Sequence, residues 1–349
     1  MHVVLDFDGT ITANDTIGQL ASYAVAFQEA QNARDPSQDS GSANKSDWEA
    51  RWTSIVEQYL ADHQAHTAGY APPEAARTTL EHELQFLNSL SNVERKSVYR
   101  LRDARLFAGM TPKDLYEGGR QARERGQDGE TAGQKQAVQL RPGFAAFIEQ
   151  TSSRRRWPVS IVSVNWSDAW IRGVLRADDS ERNDPAIRVF ANKVAPSGAI
   201  VPNIPRKAVT ASHDQKDDDA VPFSSCSDKA EALDAAISAA TRSLPEQSAA
   251  VVYMGDSTTD LECLLLAGRN KNGGGGGIVM ADGDGPTTSK LMQALARLGY
   301  AVPHVSQAQP FQRPWLASEG DAPRLAWARD FEEILASKIL DEPIAKTSE

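Results

Sequence analysis

The first ten residues constrain the fold of this chain more than any other stretch. The apolar run Val3–Leu5 leads directly into Asp6, Phe7 and Asp8, and Gly9 follows. This pattern predicts a short buried strand that ends in an acidic turn. In open α/β sheets, ligands bind beyond the carboxyl ends of the strands. Because side chains alternate along a strand, we expect Asp6 and Asp8 to face a ligand while Phe7 packs inside.

Two neighbouring carboxylates repel each other, and a hard divalent cation such as Mg²⁺ is the simplest group that stabilises both as anions. With such a cation present, one carboxylate could attack an electrophile and the other could transfer a proton. A plain strand followed by an Asp-Gly turn has the same sequence pattern. Motifs elsewhere in the chain are therefore needed to distinguish a functional site from a structural Asp-Gly turn.

The charge balance and the cysteine content exclude several classes of protein. The 349 residues include 37 basic and 47 acidic ones, and the net charge of −10 argues against a general nucleic-acid or anionic-membrane surface. The two cysteines, Cys226 and Cys263, are not in a paired spacing, which favours a reducing compartment, and we expect a cytoplasmic protein. We expect neither a signal peptide nor a membrane anchor, because no apolar run reaches about 18 residues.

The pattern between Asn14 and Gln139 is that of helices. Apolar residues recur at helical spacing in Thr16–Ala30, Trp48–His63 and Thr79–Leu90, and a polar loop is predicted at Asp35–Lys45. We interpret the tryptophans of this region as core residues. His63 and His66 could face each other on a helix, but no further His or Cys cluster supports a zinc site.

Strands and helices alternate after residue 139. The strands are predicted at Trp157–Val162, Ile187–Ala191, Ala199–Val201, Ala249–Met254 and Ile278–Ala281, with helices at Phe144–Gln150, Asp228–Ala240, Leu261–Ala267, Thr288–Leu298 and Asp330–Leu340. We predict an α/β fold: a Rossmann-like parallel-sheet core (residues 1–14 and 139–303), an inserted helical cap domain (15–138) and a C-terminal helical extension (304–349).

Two further segments are interpreted as connections. The polar stretch Ser212–Ser225 is predicted to be an exposed loop. The glycines Gly273–Gly277 are interpreted as a flexible surface connection. They precede a strand, whereas phosphate-binding loops follow a strand and open a helix.

The start of the chain, Asp6-Phe-Asp8-Gly9-Thr10-Ile-Thr12, strongly resembles motif I of the haloacid dehalogenase (HAD) superfamily. Three further motifs of that superfamily have matches in the right order: Ser163 after the second core strand, Lys229 at the start of a helix with Lys193 as a rival, and Asp256 with Asp260 after the next strand. The helical insertion after motif I is similar to that of phosphoserine-phosphatase-like members. Ser163-Val164-Asn165 departs from their glycine pair, and the insertion is longer than theirs.

The resemblance implies a Mg²⁺-dependent phosphomonoester hydrolase that acts on a small phosphorylated metabolite through an aspartyl-phosphate. Asp6 would be the nucleophile and Asp8 the acid and base. The implied groups are Thr10, Ser163, Asn165 and Lys229 for the phosphate, and Asp6, Asp8 (through its backbone carbonyl), Asp256 and Asp260 for the metal. Asp260 could instead orient a water or Lys229. A superfamily phosphomutase and a non-catalytic phosphometabolite-binding protein are the alternatives. A dehalogenase is disfavoured because Asp8 and Asp256 are retained.

Asp15 follows motif I and should lie over the mouth of the site. It could be the N-cap of the first helix of the insertion. It could also contact the substrate, since phosphoserine phosphatases have an acid at the matching position, which implies contact with an amine.

Overall fold

The computed structural model describes residues 1–33, 46–127, 137–176, 187–204, 221–241, 250–269, 274–283, 285, 287–312 and 322–341. The predicted loop at Asp35–Lys45 lies outside these residues. Seven strands form the centre of the molecule: β1 (His2–Leu5), β2 (Val159–Val162), β3 (Arg188–Val194), β4 (Ile200–Asn203), β5 (Val251–Gly255), β6 (Gly275–Met280) and β7 (Leu325–Ala328).

These strands form one sheet in the order β4-β3-β2-β1-β5-β6-β7. Neighbouring strands run parallel, except that β3 and β4 are antiparallel, as the predicted hairpin requires. The chain moves outwards from β1 through β2 on one side and from β5 through β6 on the other. A crevice therefore opens at the carboxyl end of β1. The predicted α/β fold with a parallel sheet is confirmed.

Eleven described helices surround the sheet. They are α1 (Ile17–Asn32), α2 (Ser46–Gly69), α3 (Leu80–Ser89), α4 (Ser91–Asp103), α5 (Pro112–Gln127), α6 (Phe144–Ile148), α7 (Asp168–Leu175), α8 (Cys226–Thr241), α9 (Leu261–Gly268), α10 (Lys290–Arg297) and α11 (Phe331–Ser337). Within the described part of the chain, no helix combines the length and the apolar character that crossing a membrane requires.

Helix α5 of the insertion packs closely on α7 of the core. A Cβ atom on Gly119 would lie 2.4 Å from the carbonyl oxygen of Trp170, and one on Gly173 would lie 2.0 Å from that of Tyr116. Only glycine allows the two backbones to approach this closely. Buried residues of α1, α5 and β1 belong to one apolar cluster, so the two ends of the insertion share the core of the sheet.

The prediction of a flexible surface connection at the glycine run is wrong for Gly275 to Gly277, which are buried in β6. A Cβ on Gly275 would lie 2.1 Å from the Val251 carbonyl oxygen, and one on Gly276 would lie 2.4 Å from the Phe311 ring. The glycines therefore permit close packing inside the sheet. Gly273 lies outside the described residues.

Two other predictions need correction. The region 304–349 was predicted to be helical, yet Leu325–Ala328 pairs in parallel with β6. A short, fully buried, Ala-containing strand has no periodicity that separates it from a helix. The predicted exposed loop Ser212–Ser225 is described only from residue 221, and there Phe223 is buried. The Asn192 side chain holds the Phe223 backbone on both sides, accepting from its N–H at 2.8 Å and donating to its carbonyl at 2.9 Å.

Candidate active site

The acidic turn after β1 lies at the carboxyl edge of the sheet, as predicted. Asp6 is 3% exposed, and its backbone N–H donates to the Met254 carbonyl of β5 at 2.8 Å. Gly9 adopts a φ of +72°, and a Cβ there would lie 2.2 Å from Oδ2 of Asp256. This glycine therefore lets the first and fourth motifs come together.

Lys229 brings the only positive charge among the described residues that line the site. Its Nζ lies 3.0 Å from Oδ1 of Asp6 and 2.6 Å from Oδ1 of Asp260, and the side chain is 1% exposed. Burial alone would lower the pKa of Lys229, but the carboxylates of Asp260 and Asp6 outweigh it and hold the pKa above its ordinary value. Lys229 therefore stays charged. The rival Lys193 is exposed on β3, away from this lining.

The arrangement of carboxylates fits a divalent cation. One oxygen each of Asp6, Asp256 and Asp260 lie within 4.8 Å of one another. Oδ1 of Asp6 is buried and, apart from its ion-pair contact with Lys229, has no hydrogen-bond partner among the described residues. Burial, reinforced by the charge of Asp260, raises the pKa of Asp6 well above its usual range and that of Asp256 to about 7. A hard cation would relieve this repulsion between the carboxylates.

Asp260 is engaged in hydrogen bonds through both of its carboxylate oxygens. Oδ1 accepts from Lys229 Nζ and from the Tyr253 hydroxyl, each at 2.6 Å, and Oδ2 accepts from the Ser257 backbone and hydroxyl, each at 3.0 Å. Of the two roles predicted for Asp260, these contacts favour the orientation of Lys229 over direct metal binding.

The side chain of Asp8 lies outside the acidic cluster. Its Oδ1 accepts from the backbone N–H of Thr16 at 2.9 Å and from the Thr16 hydroxyl at 2.6 Å, and its Oδ2 accepts from Asn165 Nδ2 at 2.8 Å. Burial, with a contribution from Asp15, raises the pKa of Asp8 to about 6. A carboxyl group with such a pKa suits acid–base work near neutral pH.

Two of the predicted phosphate-binding residues have other partners in the structure. The Thr10 hydroxyl donates to Oδ1 of Asp256 at 3.1 Å, and the Asn165 amide donates to Asp8 and, at 3.3 Å, to the Thr16 hydroxyl. Both residues are buried, and each donates a hydrogen bond to a carboxylate. Ser163 differs, because its Oγ accepts from the Asn165 N–H at 3.1 Å while its own hydroxyl proton has no acceptor among the described residues.

Sequence reasoning gave no role to Arg141, which stabilises the acidic turn. Its Nε and Nη2 both donate to the Gly9 carbonyl, at 2.8 and 2.7 Å, and Nη1 donates to Asp282 and to the Arg329 carbonyl. The guanidinium is buried and fixes the backbone that carries Asp6 and Asp8. Its only sequence signal is its place in Leu140-Arg-Pro-Gly143, where the alternation of strands and helices begins.

A cavity of about 720 Å³ opens over these groups. The sheet edge supplies Asp6, Asp8, Ser163, Lys229 and Asp256, and the insertion supplies the opposite wall from α1, α2 and α4. Asp15 lies in this lining, and its Oδ1 accepts from the Ile17 N–H at 2.7 Å. The N-cap residue of α1 is Thr16, so the prediction of Asp15 at the N-cap is wrong by one residue. Asp15 precedes the cap, holds the first N–H of the helix and faces the cavity.

Comparison with known proteins gives matches to structures alone. No protein-family model and no curated protein matches the chain. The chain is similar to a substrate-bound phosphoserine phosphatase complex (14% identity, TM-score 0.41, 96% of each chain covered). It is also similar to a phosphoserine phosphohydrolase-like protein from Francisella tularensis subsp. tularensis SCHU S4 (11% identity, TM-score 0.41, 96% of this chain and 98% of that chain covered).

A third similar structure is a HAD family hydrolase from Salmonella enterica subsp. enterica serovar Typhi (13% identity, TM-score 0.36, 80% of this chain and 61% of that chain covered).

Proposed function

We propose that this protein is a Mg²⁺-dependent phosphomonoester hydrolase that acts on a small phosphorylated metabolite through a phosphoryl group carried on Asp6. The observation that supports it best is the pairing of Asp6 with Lys229. The Asp6 carboxylate is buried, and its Oδ1 lies 3.0 Å from the Lys229 ammonium, at the edge of a sheet and under a cavity. This arrangement suits a nucleophile that lies beside a cation able to stabilise a transferring phosphoryl group.

When bound by Asp6 and Asp256, Mg²⁺ would supply positive charge that keeps the nucleophile ionised and offsets the charge of the phosphate. In the first step, a carboxylate oxygen of Asp6 forms a bond to phosphorus while the bond from phosphorus to the substrate oxygen breaks. The protonated Asp8 gives its proton to that departing oxygen. Lys229 and the free hydroxyl of Ser163 bind oxygens of the phosphoryl group.

In the second step, the Asp8 carboxylate removes a proton from water, and the water oxygen attacks phosphorus. The bond between phosphorus and Asp6 breaks, so inorganic phosphate leaves and Asp6 returns to its starting state. The hydrogen bonds from Thr16 and Asn165 keep Asp8 oriented through both steps. Asp260 keeps the Lys229 ammonium in place.

The test is release of inorganic phosphate from a panel of phosphorylated metabolites and a neutral aryl phosphate with Mg²⁺, for the native chain and for Asp6→Asn. We expect turnover by the native chain that chelator removes, and none by a folded Asp6→Asn variant, because an amide is a very poor nucleophile. Formation of a phosphate isomer without free phosphate would indicate a mutase. No reaction with any ester would indicate a binding protein.

A further inference from the structure

The wall of the cavity that the insertion supplies is rich in hydrogen-bond acceptors. The Glu94 carboxylate of α4 faces the cavity and accepts from the Tyr59 hydroxyl at 2.8 Å. Asp15 and Gln19 line the same space. The side-chain oxygen of Gln19 is buried and has no hydrogen-bond partner among the described residues. A ligand that carries donors and positive charge would satisfy the carboxylates of Glu94 and Asp15.

The charge of the lining is one-sided. Among the described residues around the cavity, five are acidic (Asp6, Asp8, Asp15, Glu94 and Asp256) and one, Lys229, is basic. Lys229 is already paired with two carboxylates at the sheet edge. A carboxylate on the substrate would therefore find no described cation to pair with and would be repelled by Asp15 and Glu94.

Aromatic rings line the same cavity. Trp52, Tyr59 and Trp166 line the cavity, and the rings of Trp52 and Trp166 meet edge to face at 6.3 Å. Ring faces attract ammonium groups and tolerate the methyl groups of a quaternary one. Burial raises the pKa of Glu94, and the charge of Asp15 adds to this effect, so a cation in the cavity would stabilise both carboxylates.

We propose that the substrate is the phosphomonoester of an amino alcohol: a phosphate joined through a short chain to a primary or quaternary ammonium, with no carboxylate. This proposal rests on the proposed function, since the phosphate must lie against Asp6 and Lys229. Glu94, with Asp15, would bind the ammonium group. A phosphoamino acid would be a poor substrate because of its extra carboxylate.

The experiment compares kcat/KM for ethanolamine phosphate, choline phosphate, O-phosphoserine and a neutral aryl phosphate. We expect each amino alcohol ester to exceed O-phosphoserine by ~10-fold or more. In Glu94→Gln, the ratio of kcat/KM for ethanolamine phosphate to that for the aryl phosphate should fall by ~10-fold, mainly through KM, because Gln keeps the acceptor for Tyr59 but loses the charge. Glu57→Gln removes the same charge from an exposed position on α2 and should leave this ratio unchanged.

Binding of the same esters to the Asp6→Asn variant by calorimetry should give the same ranking without turnover. Hydrolysis of the aryl phosphate with O-phosphoserine preferred to both amino alcohol esters would overturn the substrate proposal alone, as would a ratio that Glu94→Gln leaves unchanged. Hydrolysis of none of the four esters would overturn the proposed function and the substrate proposal together.

Discussion

The two walls of the cavity are built in different ways. At the sheet edge, Asp6, Lys229 and Asp260 are almost fully buried, and most of their polar atoms have a partner from a different strand, turn or helix. On the wall from the insertion, Asp15 is exposed, and Leu60 of α2 is 59% exposed. We call the sheet edge the interlocked wall and the side from the insertion the open wall. Rigidity in the interlocked wall suits the chemical step, and the greater exposure of the open wall suits the choice of substrate.

The largest effect should come from disturbing the interlocked wall at Gly9. The Gly9→Ala substitution adds a methyl group at φ +72°, 2.2 Å from Oδ2 of Asp256, so Asp256 must move. We expect kcat/KM to fall by about 10²-fold or more, since displacements of about 1 Å at a catalytic group have effects of that size. The measurement is steady-state phosphate release with saturating Mg²⁺.

Gly109→Ala is the matched control for backbone strain. Gly109 has a φ of +75°, but nothing lies within 4 Å of its added Cβ. The Gly109→Ala substitution should cost about 1–2 kcal/mol of stability and leave kcat/KM nearly unchanged. The same backbone cost is expected for Gly9→Ala. Equal loss of activity in the two variants would contradict a special role for the contact between Gly9 and Asp256.

The next effect concerns the stability of the metal-free protein. Burial raises the pKa of Asp256 to about 7, so the folded chain binds a proton at this site more tightly than the unfolded chain does. Stability from this group is therefore present at low pH and is lost as pH rises through the folded pKa near 7. The asparagine in the Asp256→Asn variant does not ionise, so the variant does not lose stability at this site as pH rises.

In chelator at pH 8, we expect Asp256→Asn to have a free energy of unfolding in urea about 1–4 kcal/mol higher than that of the native chain. The difference should shrink as pH falls from the folded pKa near 7 towards the ordinary Asp pKa of 3.8. Added Mg²⁺ should stabilise the native chain and not the variant. Asp103→Asn, at the exposed end of α4, controls for the loss of one negative charge. A variant that is less stable than the native chain at pH 8 in chelator would count against a strained acidic cluster.

The smallest effect is expected at the open wall, for Asp15→Asn. Asparagine can still accept from the Ile17 N–H, so stability should change by less than about 0.5 kcal/mol, whereas Asp15→Ala should cost about 1 kcal/mol. If Asp15 contacts an amine, Asp15→Asn should raise KM for an amine-bearing ester by roughly 3- to 10-fold and spare a neutral aryl phosphate. Equal changes for both substrates, or none, would leave Asp15 with the hydrogen bond to the Ile17 N–H as its only role.

The sequence predicts the interlocked wall well and the open wall poorly. Asp6, Ser163, Lys229 and Asp256 each follow a buried apolar strand or begin a helix, and such positions are visible in local patterns. The residues that form hydrogen bonds or ion pairs with these groups cannot be identified from the local pattern, because they come from elsewhere in the chain. The hydrogen bonds from Thr10 to Asp256 and from Asn165 to Asp8 are contacts of this kind.

The role of the residues in the open wall was not predicted, for a different reason. The apolar face of α2, with Trp52 and Leu60, has the spacing of a core-facing helix, yet it lines the cavity. Glu94 lies on a polar helix among other charged residues, where no local pattern distinguishes it. β7 depends on its long-range pairing with β6. The glycines of β6 depend on close packing against Val251 and Phe311. Periodicity does not report such contacts.

The central claim is that Asp6 carries the phosphoryl group, and the most direct measurement is to trap that group. The native chain is mixed with substrate and Mg²⁺, quenched in acid within one turnover, digested, and analysed by peptide mass spectrometry. We expect the N-terminal peptide to gain the mass of one phosphoryl group at Asp6, and Asp8→Asn to accumulate more of it, because hydrolysis of the intermediate needs Asp8. Rapid phosphate release with no phosphoryl group on any peptide that contains Asp6, in the native chain and in Asp8→Asn alike, would contradict the account.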